Sequence, residues 1–411
     1  MIFRLMYGLA IRFYHSAIVL ASLWNPKAKA WIRGRKNWQN KLTSIVPDRG
    51  TVWFHASSLG EYEMARPIIR SVKSQNANVN ILVSFFSPSG FEHFKNDGNV
   101  SGVFYLPLDT HTNARKLLEI VRPKAVIFIK YEFWPNLLSQ ILDQKIPLFF
   151  VGVTFRRDQW FWKIPGNPVL KILSGSTSIM VQNIQSLQIA RSYGLKSNIV
   201  FTGDTRFDRA LEISKSRYDE KKIENFCKSQ YTIVAGSSWP ADERRFIPLI
   251  HKNPEWRWII APHDISPKNV KRLTNQLGLS FTLFTEENSI NSTCRVLVVD
   301  TIGHLARLYR YGNVALIGGA FGTGLHNILE ALVYGIPVLF GPNYRKFWEA
   351  EEAIQQAFGH SYNTTEELES HLHAYASENL RAETEKRIQL WFHQYTHATT
   401  KVTQLLSKSI F

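Results

Sequence analysis

The chain has 411 residues, a length that suggests two or three domains at the usual ~100–200 residues each, every one large enough for its own core. Hydrophobic residues at 45% and charged residues at 20% exclude intrinsic disorder, and 23 Gly and 17 Pro without a regular period exclude a collagen-like rod. Two cysteines, Cys227 and Cys294, exclude a disulfide framework and an all-cysteine zinc site, so a reducing compartment is sufficient. The 49 Lys and Arg against 33 Asp and Glu leave a net charge of +16, which favours anionic partners: nucleic acid, acidic headgroups or nucleotides. Twelve Trp, 15 Tyr and 26 Phe tilt that choice toward a membrane interface or a bulky amphipathic substrate.

The first 24 residues, MIFRLMYGLAIRFYHSAIVLASLW, are apolar but interrupted by Arg4, Arg12 and His15, so no clean run reaches the ~20 residues of a spanning helix. A basic and aromatic segment follows, with Lys27, Lys29, Trp31, Arg33, Arg35, Lys36 and Trp38, and no secretory cleavage pattern precedes it. Lysines and arginines on headgroups with tryptophans at the boundary describe an interfacial anchor on an anionic leaflet. The alternative is an amphipathic helix packed on the protein's own core.

Beyond residue 50 short apolar runs alternate with helix-length connections: TVWFHA, then a helix from about Glu61 to Ser74; NILVSF, then Gly90 to Lys95; AVIFIK, then Pro135 to Leu142; then PLFFVGV. Apolar runs that are continuous rather than alternating indicate parallel strands covered on both faces. The charged stretch from about Phe207 to Gln230 reads as helix and linker at a domain seam. After it the pattern restarts with YTIVAGSS, WRWIIAPH, CRVLVVD, NVALIGG and IPVLFGP. Two doubly wound α/β halves follow.

Three clusters carry candidate chemistry. G-G-A-F-G-T-G, Gly318 to Gly324, stands between the strand NVALI and the run HNILEALVYG, where backbone N–H groups at a helix start can hold a phosphate. His326, Asn327 and Glu330 would share one helical turn there; a capped surface helix is the plain alternative. H-A-S-S-L-G-E-Y-E, His55 to Glu63, ends the first strand of the amino-terminal half, with Glu61 just inside a helix start beside Gly60. That helix start would keep Glu61 ionised and available as a base, or Glu61 simply caps the helix. K-Y-E-F-W-P leaves a second carboxylate, Glu132, among bulky aromatics at another strand end, either functional or a loop anchor.

The series HASSLGEYE, FFSPSG, YLPLD, KYEFWPNL, GDTRFD, AGSSWPADE, VVDTIGHLARLY and GGAFGTGLHNILEALVYGIPVLFGP resembles, in order and spacing, the lipid A-specific 3-deoxy-D-manno-octulosonic acid (Kdo) transferases of lipopolysaccharide biosynthesis. The resemblance implies an α/β glycosyltransferase-B fold with two Rossmann-like doubly wound domains facing a central cleft. Its segments would be a membrane-associated stretch 1–38, an acceptor-binding domain 39–215, a CMP-Kdo-binding domain 216–382 and a crossover helix in 383–411, within Glu383 to Ser407. It implies inverting transfer of Kdo from CMP-Kdo to a hydroxyl of a lipid A precursor (lipid IVA) at the cytoplasmic side of the inner membrane. CMP-Kdo is a substrate, and neither a cofactor, a metal nor nucleic acid is expected.

The resemblance assigns Glu61 as catalytic base and Glu132 as the second acid, with Ser58, Gly60 and Lys130 on the acceptor side. It assigns Ser237, Ser238, His263, Gly318, Gly319, His326, Asn327 and Glu330 to the donor. His263 stands where family members often carry an arginine, a charged fork that a neutral imidazole cannot replace; Arg272 or a basic residue of the other domain is the expected substitute. VGVTFRR, Val151 to Arg157, also departs from the family pattern, so acceptor contacts there do not carry over. Another nucleotide-sugar transferase of the same shape, or a non-enzymatic basic membrane or nucleic-acid binding protein, are the alternatives.

Overall fold

The computed structural model describes all residues except 1, 48–49, 97, 165–166, 196–197, 219–220, 228–229, 287–293 and 323, and for residues 2–5 only the backbone. The chain forms two compact units, Met1–Arg209 with Thr396–Phe411, and Ala210–Tyr395. The seam lies at Arg209/Ala210, six residues before the expected 215/216. The expected terminal helix is two helices, Glu378–Gln394 and Ala398–Ile410, and only the second belongs to the first unit.

The first unit holds strands β1 (Thr51–His55), β2 (Asn80–Phe85), β3 (Gly102–Tyr105), β4 (Pro123–Ile129), β5 (Leu148–Val153), β6 (Ser178–Val181) and β7 (Ile199–Phe201). Among the described residues they form one parallel sheet in the order β3-β2-β1-β4-β5-β6-β7. Every residue of β1 and β5 is buried, because helices cover both faces, and this is why those runs are apolar throughout rather than alternating. One face packs Trp53, Phe128 and Phe150 with the helices His111–Val121 and Pro135–Asp143. The other packs Phe54, Ile127 and Phe149 with helix Leu59–Gln75 and with Val402, Leu406 and Ile410 of the last helix.

Two aspartates tie distant segments into this unit. Asp208, in GDTRFD, accepts the backbone N–H groups of His397 (2.7 Å) and Thr399 (2.6 Å) and so caps the last helix. Asp109, in YLPLD, accepts the N–H groups of Asn136 (3.1 Å) and Leu137 (2.9 Å) at the start of helix Pro135–Asp143. A proline-led helix start leaves open N–H donors, and here they are satisfied from another loop.

The second unit holds β8 (Thr232–Ser238), β9 (Arg257–Pro262), β10 (Thr282–Leu283), β11 (Val296–Val298), β12 (Val314–Ile317), β13 (Val338–Phe340) and β14 (Gly359–Ser361). Among the described residues they too form one parallel sheet, ordered β10-β11-β9-β8-β12-β13-β14. In each sheet the winding reverses once, between β1 and β4 in the first and between β8 and β12 in the second. Ligand crevices in doubly wound sheets open outside the carboxyl ends of the two strands at that reversal.

Candidate active site

In the first unit the reversal is occupied by two carboxylates. β1 ends at His55, and Ser58 then starts helix Leu59–Gln75 as its N-cap. Glu61, three residues later, accepts the Ser58 backbone N–H at 3.0 Å. The capping role considered as an alternative is therefore real, and it fixes the Glu61 side chain at the crevice mouth. Gly60, in the same first turn, is exposed. β4 ends at Ile129, and Lys130 adopts φ +60, a left-handed conformation that turns the chain out of the sheet. Lys130 itself is exposed, its N–H held by Val151 O at 2.6 Å. Glu132 then folds back over β1: its Oε2 lies 3.0 Å from His55 Nε2 and accepts the Trp134 indole N–H at 3.0 Å. The loop around it is walled by rings, with Tyr131 stacked on Phe155 at 6.0 Å and Trp134 against Phe86 at 4.7 Å.

The two carboxylates differ in protonation tendency. Burial, and next the negative charge of Glu132, raise the Glu61 carboxyl above its ordinary value, only partly opposed by Lys130, His55 and the Ser58 N–H. The expectation that the helix start would hold Glu61 down is corrected: dehydration and a like charge outweigh the first-turn dipole. Burial also pushes Glu132 up, but hydrogen bonds from His55, Ser57 and Trp134 with the His55 interaction outweigh it, leaving Glu132 below the usual range. A pair of carboxyls pushed apart in this way leaves Glu61 the readier of the two to hold a proton and Glu132 the one that stays ionised to lower pH.

At the second unit's reversal, β8 carries a bulge between Gly236 and Ser238, with Ser237 at φ +53. Ser237 and Ser238 are thus the last residues of β8 rather than of the loop after it. The Ser238 hydroxyl donates to buried Glu243 at 3.2 Å. Gly318 follows β12, and a Cβ there would sit 2.2 Å from Ser237 O, so only glycine lets the two strand ends approach.

The glycine turn departs from the expected phosphate nest. The N–H of Gly318 goes to Gly236 O (2.9 Å), that of Gly319 to Asp242 Oδ2 (3.1 Å), and those of Gly322 and Gly324 to Gly319 O (2.9 and 3.3 Å). These four donors are thus taken by the chain itself, two within the turn and two by residues outside it; Thr323 lies outside the described residues. The expected helix at His326 is also shorter: only Leu329–Leu332 is helical, and His326 and Asn327 lie in the preceding loop. Asn327 nonetheless reaches Glu330, its amide donating to Oε1 at 3.1 Å.

What converges is a stack of rings. Trp239 lies on His263 (4.5 Å, 21°) and His263 on His326 (4.6 Å, 29°), while the Trp239 indole N–H donates to His326 Nε2 at 3.1 Å. Burial, and next the neighbouring His263, lower His326 to about 4. Its ring is therefore neutral at physiological pH, with Nε2 as acceptor and the proton on Nδ1. Arg272, the expected substitute for the missing family arginine, has its guanidinium engaged by Glu243 (2.5 Å), Asn269 (2.9 Å) and Gln276 (2.7 Å). The sequence singled out neither Trp239 nor Asp242, whose Oδ2 accepts both the Trp239 and the Gly319 backbone N–H groups.

Residues 33–209 match the family model described as 3-Deoxy-D-manno-octulosonic-acid transferase (kdotransferase). The chain is 26% identical over 321 residues to the 3-deoxy-D-manno-octulosonic acid transferase of Aquifex aeolicus, covering 76% of this chain and 82% of that one. It is 27% identical over 336 residues to a probable mitochondrial 3-deoxy-D-manno-octulosonic acid transferase of Arabidopsis thaliana, covering 77% and 74%. The chain is similar to Kdo transferases over most of its length. It is accordingly a glycosyltransferase, as its motifs indicated. Among solved structures it resembles the UDP-GlcNAc 2-epimerase of Neisseria meningitidis (TM-score 0.60, 16% identity, 87% of this chain and 100% of that one). It also resembles MurG of Acinetobacter baumannii (TM-score 0.58, 12% identity, 88% and 100%). The fold is that of the glycosyltransferase-B enzymes.

Proposed function

We propose that this protein is a Kdo transferase that moves Kdo from CMP-Kdo, with inversion, to a hydroxyl of a lipid A precursor, lipid IVA. The observation that carries the reading is the Glu61–Glu132 pair at the first sheet's reversal, one carboxyl raised and the other lowered. In the proposed step the acceptor oxygen gives its proton to Glu61 and bonds to the anomeric carbon. The bond from that carbon to the phosphate oxygen breaks, and CMP leaves with its electron pair. A carboxylate with a raised pKa is, once ionised, a stronger base than an ordinary glutamate. The product of purified protein, CMP-Kdo and lipid IVA, weighed by mass spectrometry, tests the reading. A Kdo adduct with released CMP is expected, and transfer from UDP or GDP sugars instead would overturn it.

On the donor side, Ser237, His263, His326 and the Asn327–Glu330 pair are proposed to hold CMP-Kdo, with His326 Nδ1–H as an uncharged donor to the phosphate. Asparagine places its amide N–H near the position of Nδ1, and glutamine places it near Nε2. His326→Asn is therefore expected to keep CMP affinity within a few-fold, whereas His326→Gln loses about 10–100-fold, the worth of one hydrogen bond to a charged group. Calorimetric titration with CMP distinguishes them; equal losses would remove Nδ1 from the phosphate.

The same reading places the protein at the cytoplasmic face of the inner membrane, held by its amino-terminal helix. Among the described residues no helix is long and apolar enough to cross a membrane. Helix Ile2–Ala21 instead carries two apolar stripes. One faces the protein through Tyr7, whose hydroxyl donates to Asp109 (2.9 Å), buried Ile11, and His15 beside Trp31. The other leaves Leu9, Phe13 and Leu20 exposed, continued by Leu23 and Trp24. The packed-helix alternative thus holds on one face, and the exposed stripe on the other is what we propose meets the membrane. Arg35 fastens the next helix, Pro26–Arg35, to the sheet: it donates to Leu106 O (2.8 Å) and Phe86 O (2.7 Å), just past the carboxyl ends of β3 and β2, and lies 3.8 Å from the Trp31 ring centroid.

A further inference from the structure

His55 is fully buried at the end of β1 and was given no role by the sequence. Its two ring nitrogens have different partners: Nδ1 lies 2.8 Å from Ser84 Oγ on β2, and Nε2 lies 3.0 Å from Glu132 Oε2. Ser84 Oγ also receives the indole N–H of Trp53, at 2.8 Å. Indole can only donate, so the Ser84 oxygen accepts from Trp53 and has its own proton to give. An ionised carboxylate can only accept, so Nε2 must carry a proton. One arrangement satisfies every group: Trp53 N–H to Ser84, Ser84 O–H to His55 Nδ1, and His55 Nε2–H to Glu132. A doubly protonated ring would leave the buried Ser84 hydroxyl proton without an acceptor in this chain, a costly omission. Ser57, whose Oγ is 3.3 Å from the same Nε2, closes the cluster from the other side.

We propose that His55 is a positioning residue, held in its Nε2–H tautomer by the Trp53–Ser84 chain and thereby fixing the Glu132 carboxylate, ionised and in one orientation, beside Glu61. Second-sphere partners commonly set the tautomer and aim of a functional histidine in this way. The consequence for transfer rests on the reading of Glu61 as base; the hold on Glu132 does not. The titratable and charged groups that bear on the pair are His55, Lys130 and the two glutamates themselves.

The test uses the full chain with carbon-13 labelled glutamate, the Glu132 carboxyl signal being assigned by its loss in Glu132→Gln. His55→Gln, which can place an N–H near Nε2, is expected to leave the Glu132 midpoint within a few tenths of a pH unit. His55→Phe and Ser84→Ala should raise it by about one unit or more. Turnover should follow the same order, with about 10-fold or greater loss in kcat for His55→Phe against a small loss for His55→Gln. A purely structural histidine would lower the melting temperature in all variants without moving the Glu132 midpoint, and that result overturns the proposal. If the midpoint moves as expected while the unaltered protein transfers no Kdo, the positioning role stands and the substrate reading falls.

Discussion

Glu61→Gln is expected to lower kcat by about 10²–10⁴-fold, the usual contribution of a general base, while leaving the protein as stable as before or more so near neutral pH. The two halves of this expectation have separate causes. The glutamine carbonyl can still accept the Ser58 N–H that Glu61 Oε2 now takes at 3.0 Å, so the helix keeps its cap. What disappears is a carboxylate whose charged form the fold disfavours. Glu61 in the folded chain lies above its unfolded value because of burial and then Glu132. The folded state therefore binds this proton more tightly, and stability is lost as pH rises through the Glu61 range. Removing the group abolishes that loss, so thermal melts of Glu61→Gln and the parent should converge in acid and separate in the variant's favour at higher pH. The parent's rate should fall on acidification at a pH above that of an ordinary glutamate, since the base must be ionised to act. A variant that turns over normally would remove Glu61 from the proton transfer. One that unfolds would show that its cap, rather than its charge, is its main role.

The parallel architecture was legible because burial on both faces leaves a local mark: runs such as TVWFH and LFFVGV carry it residue by residue. The strand ends were legible for the same reason, since polar groups such as His55, Ser84 and the KYE turn interrupt apolar runs where the sheet reaches its edge. What stayed hidden depends on partners remote in sequence. The Glu61 carboxyl is raised partly by Glu132, 71 positions away, while the helix-start argument considers only its own turn. The hydrogen bonds of the glycine turn were not legible: spacing cannot tell that Asp242 takes the Gly319 N–H or that Gly236 takes that of Gly318. The run HNILEALVYG has good helical propensity, yet His326 is held outside the helix by Gly318 O, which accepts its N–H at 3.2 Å, and by the Trp239 indole. Tertiary contacts override weak local preference in such cases. Arg272 illustrates the same limit, because a nearby cation in sequence was already bound by a buried glutamate.

The second large effect is expected at the membrane. Replacing Leu9, Phe13 and Leu20 together by serine should cut binding to vesicles containing anionic lipid by about two orders of magnitude, without unfolding the protein. These side chains are 60%, 77% and 59% exposed and lie on one stripe of helix Ile2–Ala21. Full burial of such a side chain contributes about 1.5–3 kcal/mol, so half-burial of three at a headgroup boundary contributes about 2.3–4.5 kcal/mol, and at about 1.4 kcal/mol per tenfold that is roughly 1.6–3.2 orders of magnitude. The folded chain loses little, because the stripe that grips the protein through Tyr7, Ile11 and His15 is left intact. This separates the triple variant from deletion of the segment, which would also strip the hydroxyl of Tyr7 from Asp109 and so disturb the cap of helix Pro135–Asp143, next to Glu132. Neutralising Lys27, Lys29, Arg33 and Lys36 should instead make the remaining binding insensitive to salt, since their contribution is screened charge attraction. Turnover of a water-dispersed acceptor should survive the triple replacement while turnover of a bilayer-embedded acceptor falls. If both persist unchanged and vesicle binding is undiminished, the exposed stripe is not what meets the membrane.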